Sequence, residues 1–429
     1  MSQRYQRSEA LLERALKTIP LGSQTYSKSK TQYPYGASPY FIVRGKGSHV
    51  WDVDDNEYVD FTSSLAAVSL GYNDTDVTSA VKAQLEDGVL FSLPHPIEME
   101  VSEKICEMVP CAEMVRFGKN GSDATTGAIR LARAYTGRDH VAVCGYHGWQ
   151  DWYIGSTPRD LGVPLATKNL THTFTYNDLD SLAKLFQEHS GEIAAVIMEP
   201  MNVVEPTPGF LQGIKQLAHA NGAVLIFDET VTGFRFSNGG AQELFDVIPD
   251  LATFGKGIAN GYPVSVVAGK REIMQLMEEI FFSSTFGGET LSLAASLATM
   301  NKLQQEPVIA TMRQQGEKIV AFLTEAISKY AAGNIFKITG DPVWSFLLIS
   351  DVAPYTQWQI KTLFMQEMQA RGILTIGVHI MSYAHSDQDL ELLFSAYDEV
   401  IPLLVNAIKE HSLESLLKCD TLEPLFKVR

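Results

Sequence analysis

The run Val224-Leu225-Ile226-Phe227-Asp228-Glu229 decides the fold of this chain. Four large apolar residues in unbroken succession, closed by two acids, read as a strand buried on both faces that ends on a carboxylate. Alternating polarity would mean a sheet with one wet face, whereas continuity means helices packed above and below. A second stretch follows, Leu251-Ala252-Thr253-Phe254-Gly255-Lys256-Gly257-Ile258-Ala259-Asn260-Gly261-Tyr262-Pro263, in which a short apolar run delivers one lysine among small residues. The separation, 256 − 228 = 28 residues, accommodates a crossover element and a further strand.

The same rhythm extends upstream. Met114 to Phe117, Val141 to Cys144 and Ile193 to Met198 are short apolar runs, and the last stops at Glu199-Pro200. Between them, Asn120-Gly121-Ser122-Asp123 opens a helix whose apolar stripe is Ala124, Ala128, Leu131, Ala132 and Tyr135, with Gly137 placed to end it. A further helix is predicted around 210–220. Strands and helices in this alternation predict an α/β fold with a mixed, mostly parallel, doubly wound sheet covered by helices. Ligands in such sheets sit beyond the carboxyl ends of the strands, where Glu199, Asp228 and the loop after Cys144 all fall.

The flanks differ. Residues 1–19 predict an amphipathic helix, followed by the polar loop Gly22 to Lys30. Phe41 to Val43, His49 to Asp52 and Tyr58 to Phe61 predict short antiparallel strands with a turn at Asp54-Asp55-Asn56. After about residue 306 come a long helix to Tyr330, strands at 335–338, 343–349 and 373–376, and helices near 357–370 and from 387. The expected division is an N-terminal segment at 1–70, a large ligand-binding domain at 71–310 and a smaller α+β domain at 311–429.

Composition narrows the class. The chain has 429 residues, 45% of them hydrophobic, and a net charge of −16. With no long basic run, nucleic acid is excluded as an expected partner. No window approaches the ~20 apolar residues of a membrane span. Cys106, Cys111, Cys144 and Cys419 show no metal-ligand spacing and read as reduced thiols, so the expectation is a cytoplasmic protein with no metal.

Each candidate residue also has an ordinary role. Lys256 could be a solvated charge, and Asp228 could cap the next turn. The Asn120-Gly121-Ser122 start could be a plain N-cap, and Tyr146-His147 could be packing. Taken together, they place a helix N-terminus for a phosphate, an aromatic platform, a carboxylate and a lysine on successive strand ends. That set points to pyridoxal phosphate, with Lys256 holding the aldehyde as a Schiff base and Asp228 keeping the pyridine nitrogen protonated.

The stretches Asn120 to Thr125, Ala128 to Arg133, Tyr146-His147-Gly148, Glu199-Pro200, Asp228 to Arg235 and Phe254 to Gly257 resemble the class III aminotransferases, in the branch of glutamate-1-semialdehyde 2,1-aminomutase. The resemblance implies fold-type I, a homodimer and bound pyridoxal 5′-phosphate, with pyridoxamine phosphate between half-reactions. By position it implies Lys256 and Asp228 as the catalytic pair. Gly121 and Ser122 would hold the phosphate and Tyr146 would lie on the ring. His147, Glu199 and Thr230 would belong to the cofactor site. Thr285 would reach the phosphate of the neighbouring subunit.

Some positions depart from that branch. Lys28 stands where an arginine is expected for a substrate carboxylate, and lysine cannot form a bidentate fork. Leu65 replaces a tryptophan, and His379 lies in a segment lacking an expected glutamate. These changes argue for a transaminase rather than an aminomutase, with Tyr26, Lys28, Leu65 and His379 as substrate-contact candidates. The loop Ser23 to Lys30 also resembles aminotransferases of bacterial surface-sugar pathways. One of these forms 8-amino-3,8-dideoxy-octulosonate from an 8-oxo sugar acid, with glutamate as donor. Transamination of another amino or keto acid is the remaining alternative.

Overall fold

A computed structural model describes residues 3–423. Within them the chain forms two compact units, one from 3–74 and 310–423, the other from 75–309. In chain order the first unit contributes β1 (Ile42–Lys46), β2 (His49–Asp52) and β3 (Glu57–Asp60). The second contributes β4 (Met114–Gly118), β5 (His140–Cys144), β6 (Thr171–Thr173), β7 (Ile193–Met198), β8 (Val224–Asp228), β9 (Leu251–Phe254) and β10 (Ser265–Gly269). The first unit then resumes with β11 (Phe336–Asp341), β12 (Trp344–Ile349), β13 (Ile373–Leu374) and β14 (Val378–Ile380).

The second unit holds a seven-stranded sheet in the order β4-β10-β9-β8-β7-β5-β6. The ladders joining β6, β5, β7, β8 and β9 are parallel, while β10 pairs antiparallel with both β9 and β4. Every residue of β7, β8, β9 and β10 is buried, as continuous apolar runs require. Alternate side chains feed two cores. Ile226, Ile197 and Val143 pack with Ala128 and Leu131 of the helix Gly121–Thr136 on one face. Leu225, Phe227 and Val196 pack with Leu211 and Ile214 of the helix Phe210–Ala220 on the other. Each such fully buried aliphatic or aromatic side chain contributes roughly 1.5–3 kcal/mol. The 121–136 helix ends at Gly137, whose φ of 66° is the left-handed conformation that a glycine C-cap supplies.

The first unit carries two sheets, β1-β2-β3-β13 and the antiparallel β11-β12-β14. The N-terminal segment and the C-terminal region, set apart in the sequence reading, form this one unit. The join is β13, which adds parallel to β3 through Ile373↔Val59 and Leu374↔Asp60. The N-terminal helix spans Gln6–Ala15, shorter than the 1–19 expected, and positions 1 and 2 lie outside the described residues. The last long helix runs Asp387–Lys409, a short turn of helix at Leu413–Leu416 follows it, and the end of the region expected to reach 429 lies outside the described residues beyond 423.

After β3 the backbone makes one left-handed turn. Ser63, Ser64, Leu65 and Ala66 have φ of 42°, 50°, 60° and 68°. None is glycine, so each pays a steric cost of about 1–2 kcal/mol. Asp60 offsets part of it by accepting from the N–H of Thr62 (2.7 Å) and of Ser63 (3.2 Å), and Ser63 Oγ donates to the Ile380 carbonyl at 2.7 Å.

Candidate active site

The site grows from the carboxyl end of β8. Asp228 is 4% exposed and accepts four hydrogen bonds. Its Oδ1 receives the Thr230 N–H (3.1 Å), the Thr230 hydroxyl (2.6 Å) and the Thr253 hydroxyl (3.2 Å). Its Oδ2 lies 2.8 Å from Nδ1 of His147. Burial alone would raise the Asp228 pKa, but the bond and charge interaction with His147, with the bonds from Thr230, outweigh it and hold the carboxyl below its usual range. An ionised carboxylate at this depth is what a protonated ring nitrogen needs as its partner.

His147 is a correction to the sequence reading, which offered it with Tyr146 as a stacking platform. It is 1% exposed and sits behind Asp228. Its Nε2 lies 3.1 Å from the Cys144 carbonyl, which can only accept, so Nε2 carries a proton. The His147 carbonyl in turn accepts from the Thr125 hydroxyl at 2.9 Å. His147 is thus a positioning residue that orients the carboxylate. Tyr146 is the exposed aromatic of the pair, and its N–H donates to Glu199 Oε2 at 2.9 Å. Asn202 Nδ2 donates to the same oxygen at 2.9 Å. Burial, reinforced by the Asp228 charge, pushes the Glu199 pKa up.

Lys256 follows β9 with φ of 46°, a left-handed conformation that a lysine adopts only under constraint. Its amine has no hydrogen-bond partner among the described residues. Burial lowers its pKa; the charges of Glu199 and Asp228 oppose that shift, and Arg235 adds to it. A lowered pKa favours the neutral form of the amine, the form competent for imine formation and for proton transfer.

Close approach of backbone ties these pieces together. A Cβ placed on Gly121 would lie 3.1 Å from Thr230 Cγ2, and one on Gly255 would lie 3.5 Å from that methyl and 3.9 Å from Gly121 Cα. The start of the 121–136 helix, the residue bonded to Asp228 and the residue preceding Lys256 therefore meet at one point. The first N–H groups of a helix have no partner within it, and here they belong to Gly121 and Ser122. Ser122 Oγ accepts the Trp149 N–H at 3.3 Å. Phosphate, ring nitrogen and aldehyde of pyridoxal phosphate each meet a matching group, so the residues present fit this cofactor.

The other expected site residues fall elsewhere. Thr230 gives its hydroxyl proton to Asp228, with its hydroxyl oxygen and its methyl both close to Gly121. Thr285 is exposed on this chain. His379 is fully buried, with Nδ1 at 3.0 Å from the Ser345 hydroxyl and Nε2 at 2.7 Å from the Tyr397 hydroxyl. A core side chain with both nitrogens engaged makes no substrate contact in this structure. Lys28 and Leu65 line one cavity of about 470 Å³ within the first unit, with Asp60, Tyr33 and Tyr72. Tyr26 lies half exposed on the turn Tyr26–Lys28. Sequence reasoning missed the Thr253 hydroxyl and Asn202, whose small polar side chains carry no local signature, and the buried Glu229. The last accepts from the N–H groups of Ala241 (2.6 Å) and Gln242 (3.0 Å) and so pins the loop after β8.

Fold and site together define a pyridoxal-phosphate-dependent transferase of fold-type I. The chain belongs to the class-III aminotransferases, whose family model matches residues 32–383. It is 34% identical over 403 residues to the 3-aminobutyryl-CoA aminotransferase of Cloacimonas acidaminovorans (strain Evry), covering 92% of this chain and 96% of that one. It is 36% identical over 423 residues to the glutamate-1-semialdehyde 2,1-aminomutase of Syntrophobacter fumaroxidans, covering 91% and 96%. The structure of the FumI protein of Sphingopyxis sp. MTA144 with PLP superposes with a TM-score of 0.88 at 27% identity, covering 96% of this chain and all of that one. Among the described residues no helix is long and apolar enough to cross a membrane.

Proposed function

We propose that this transaminase moves an amino group from glutamate to the aldehyde or ketone of a sugar or sugar acid in the cytoplasm. The best candidate is the 8-oxo sugar acid that yields 8-amino-3,8-dideoxy-octulosonate, for surface polysaccharide. One observation carries the reading. A cavity of about 650 Å³ opens beside Tyr146 and Glu199, and four of its hydroxyls already donate to backbone. Tyr153 gives its proton to the Gly145 carbonyl (2.8 Å) and Tyr176 to that of Pro200 (2.8 Å). Ser156 gives its proton to the Tyr153 carbonyl (2.7 Å) and Thr157 to that of Ile154 (2.8 Å). Toward a ligand these hydroxyls can only accept, and the lining includes the acid Glu199 but no lysine or arginine. Such a wall suits the hydroxyl donors of a sugar.

When bound, pyridoxal phosphate serves as the electron sink that makes the substrate Cα proton labile. The chain's own residues do the rest. Lys256 Nζ carries that proton, Asp228 holds charge against the ring nitrogen, and the N–H groups of Gly121 and Ser122 bind the phosphate. Tyr146 lies along the ring, and Thr285 of a second copy completes the phosphate site in a homodimer.

The similarity to the Syntrophobacter fumaroxidans enzyme favours a second reading, glutamate-1-semialdehyde 2,1-aminomutase. A third is transamination of another amino or keto acid. An amino-acceptor screen separates them: cofactor-loaded enzyme is given glutamate, then sugar aldehydes, keto sugars or glutamate semialdehyde. Release of 2-oxoglutarate with amination of a sugar carbonyl is expected. Turnover of glutamate semialdehyde without any external donor would establish the aminomutase instead.

A further inference from the structure

Four residues upstream of the catalytic end of β5, about 13 Å along the strand, the sheet carries a second constellation of polar side chains. His140 opens β5, and His172 lies on β6, the edge strand, on the same face of the sheet as His140. His189 ends the helix Leu179–Glu188 that packs over that face. Three separate elements thus deliver three imidazoles to one spot. His140 Nδ1 lies 2.8 Å from His172 Nε2, and the rings of His172 and His189 are 3.9 Å apart. One nitrogen from each ring falls within 4.8 Å of the others, and all three side chains are partly open to solvent.

We propose that His140, His172 and His189 form a binding site for a divalent transition-metal ion, Zn²⁺ or a close relative. Three imidazoles with no cysteine suit zinc, copper, nickel or cobalt rather than the oxygen-seeking Ca²⁺ or Mg²⁺. The spacing agrees. Tetrahedral zinc with Zn–N bonds of about 2.0–2.1 Å sets its ligand nitrogens about 3.3 Å apart. The observed 2.8 Å pair is slightly tighter than that and the 4.8 Å limit looser, so the stacked rings must turn and shift to bring the three lone pairs to one centre. The ion replaces the proton now shared between His140 and His172 and spreads those nitrogens by about half an ångström.

A carboxylate stands behind the trio. Glu192 Oε2 lies 3.3 Å from His189 Nδ1 and 3.9 Å from His140 Nε2. An acid beside two of the rings fixes ring orientation and strengthens the ligand when it holds the nitrogen that does not coordinate. The partial exposure of the rings leaves a fourth position for water. Bound there, the ion clips the three-residue edge strand β6 to β5 and to the end of the 179–188 helix. Its role is structural or regulatory, since Asp228 and Lys256 lie at the other end of the strands.

The test uses the full-length, cofactor-loaded protein without a histidine tag, stripped with chelator and titrated calorimetrically with ZnCl₂. One high-affinity equivalent per chain is expected, together with a zinc-dependent rise in melting temperature. His189→Gln and His172→Gln should each weaken that binding by on the order of 100-fold or more, since loss of an outer-shell partner alone costs about 10–100-fold. Transamination without added metal should match the wild type. His189 sits at a helix end and is partly exposed, so its variant carries the test if the edge-strand variant fails to fold. Absence of binding by the folded wild type, or equal affinity in His189→Gln, overturns the proposal.

Discussion

His147 and His379 are both almost fully buried and both hydrogen-bonded through both nitrogens, yet they do opposite things. His147 in the second unit bonds a carboxylate and a carbonyl, and its neighbour Asp228 has ionic character that the surrounding protein does not neutralise with a lysine or arginine bond. His379 in the first unit bonds two neutral hydroxyls and has Phe61 edge-on at 6.2 Å. Its network joins neutral groups only, whereas the Asp228 network holds an ionised carboxylate. Burial of a polar side chain is therefore no mark of a functional site. The mark is a buried carboxylate held ionised by the groups behind it, so that its charge can also serve a ligand.

The sharpest way to break that contrast is Lys256→Ala. Turnover should fall by at least about four orders of magnitude, because one amine provides both covalent attachment and proton transfer. Pyridoxal phosphate should remain bound, as read from the visible absorbance of the gel-filtered protein. Near-normal rates would refute the assignment. Asp228→Asn comes next, with kcat/KM lowered by about 10²–10³-fold through loss of a preorganised charge. A loss under tenfold would place Asp228 with His379 as merely structural.

The smallest kinetic effect belongs to His379→Gln. It should destabilise the protein by about 1–3 kcal/mol in denaturant unfolding while leaving kcat and both KM values unchanged. Burial, with the nearby His385, holds the His379 pKa down to about 3, against 6.5 in the unfolded chain. The folded ring stays neutral while the unfolded ring takes up a proton, so stability is lost as pH falls from about 6.5 toward 3. The slope approaches about 1.4 kcal/mol per pH unit. The glutamine variant should lack that contribution, and the difference is read from melting temperatures across the interval. A raised acceptor KM in this variant would return His379 to the substrate site.

Much of this was legible before any coordinates. Unbroken apolar runs announced β7, β8 and β9, because burial on both faces leaves no polar position to alternate. Asn120, Asp123 and Gly137 marked both ends of the helix Gly121–Thr136, because caps are local chemistry. The helix predicted near 357–370 runs Gln357–Ala370, behind Thr356 as its N-cap. What could not be read was non-local. Nothing near Ile373 says that it pairs with Val59, and nothing near Thr253 says that its hydroxyl reaches Asp228. Tyr146 and His147 are adjacent in sequence, so pattern alone could not say that one faces the cavity and the other lies behind the carboxylate. His379 was misread because a histidine on a short strand carries no signal of what closes over it.

The left-handed turn at Ser63 to Ala66 has a practical corollary. A chain that spends several kilocalories holding four ordinary residues in a glycine-like backbone leaves room for cheap gains in heat tolerance at those positions. Anyone hardening this enzyme for use as a biocatalyst would start there, and would learn from the acceptor range of the hardened protein whether the contortion had been retained for selectivity.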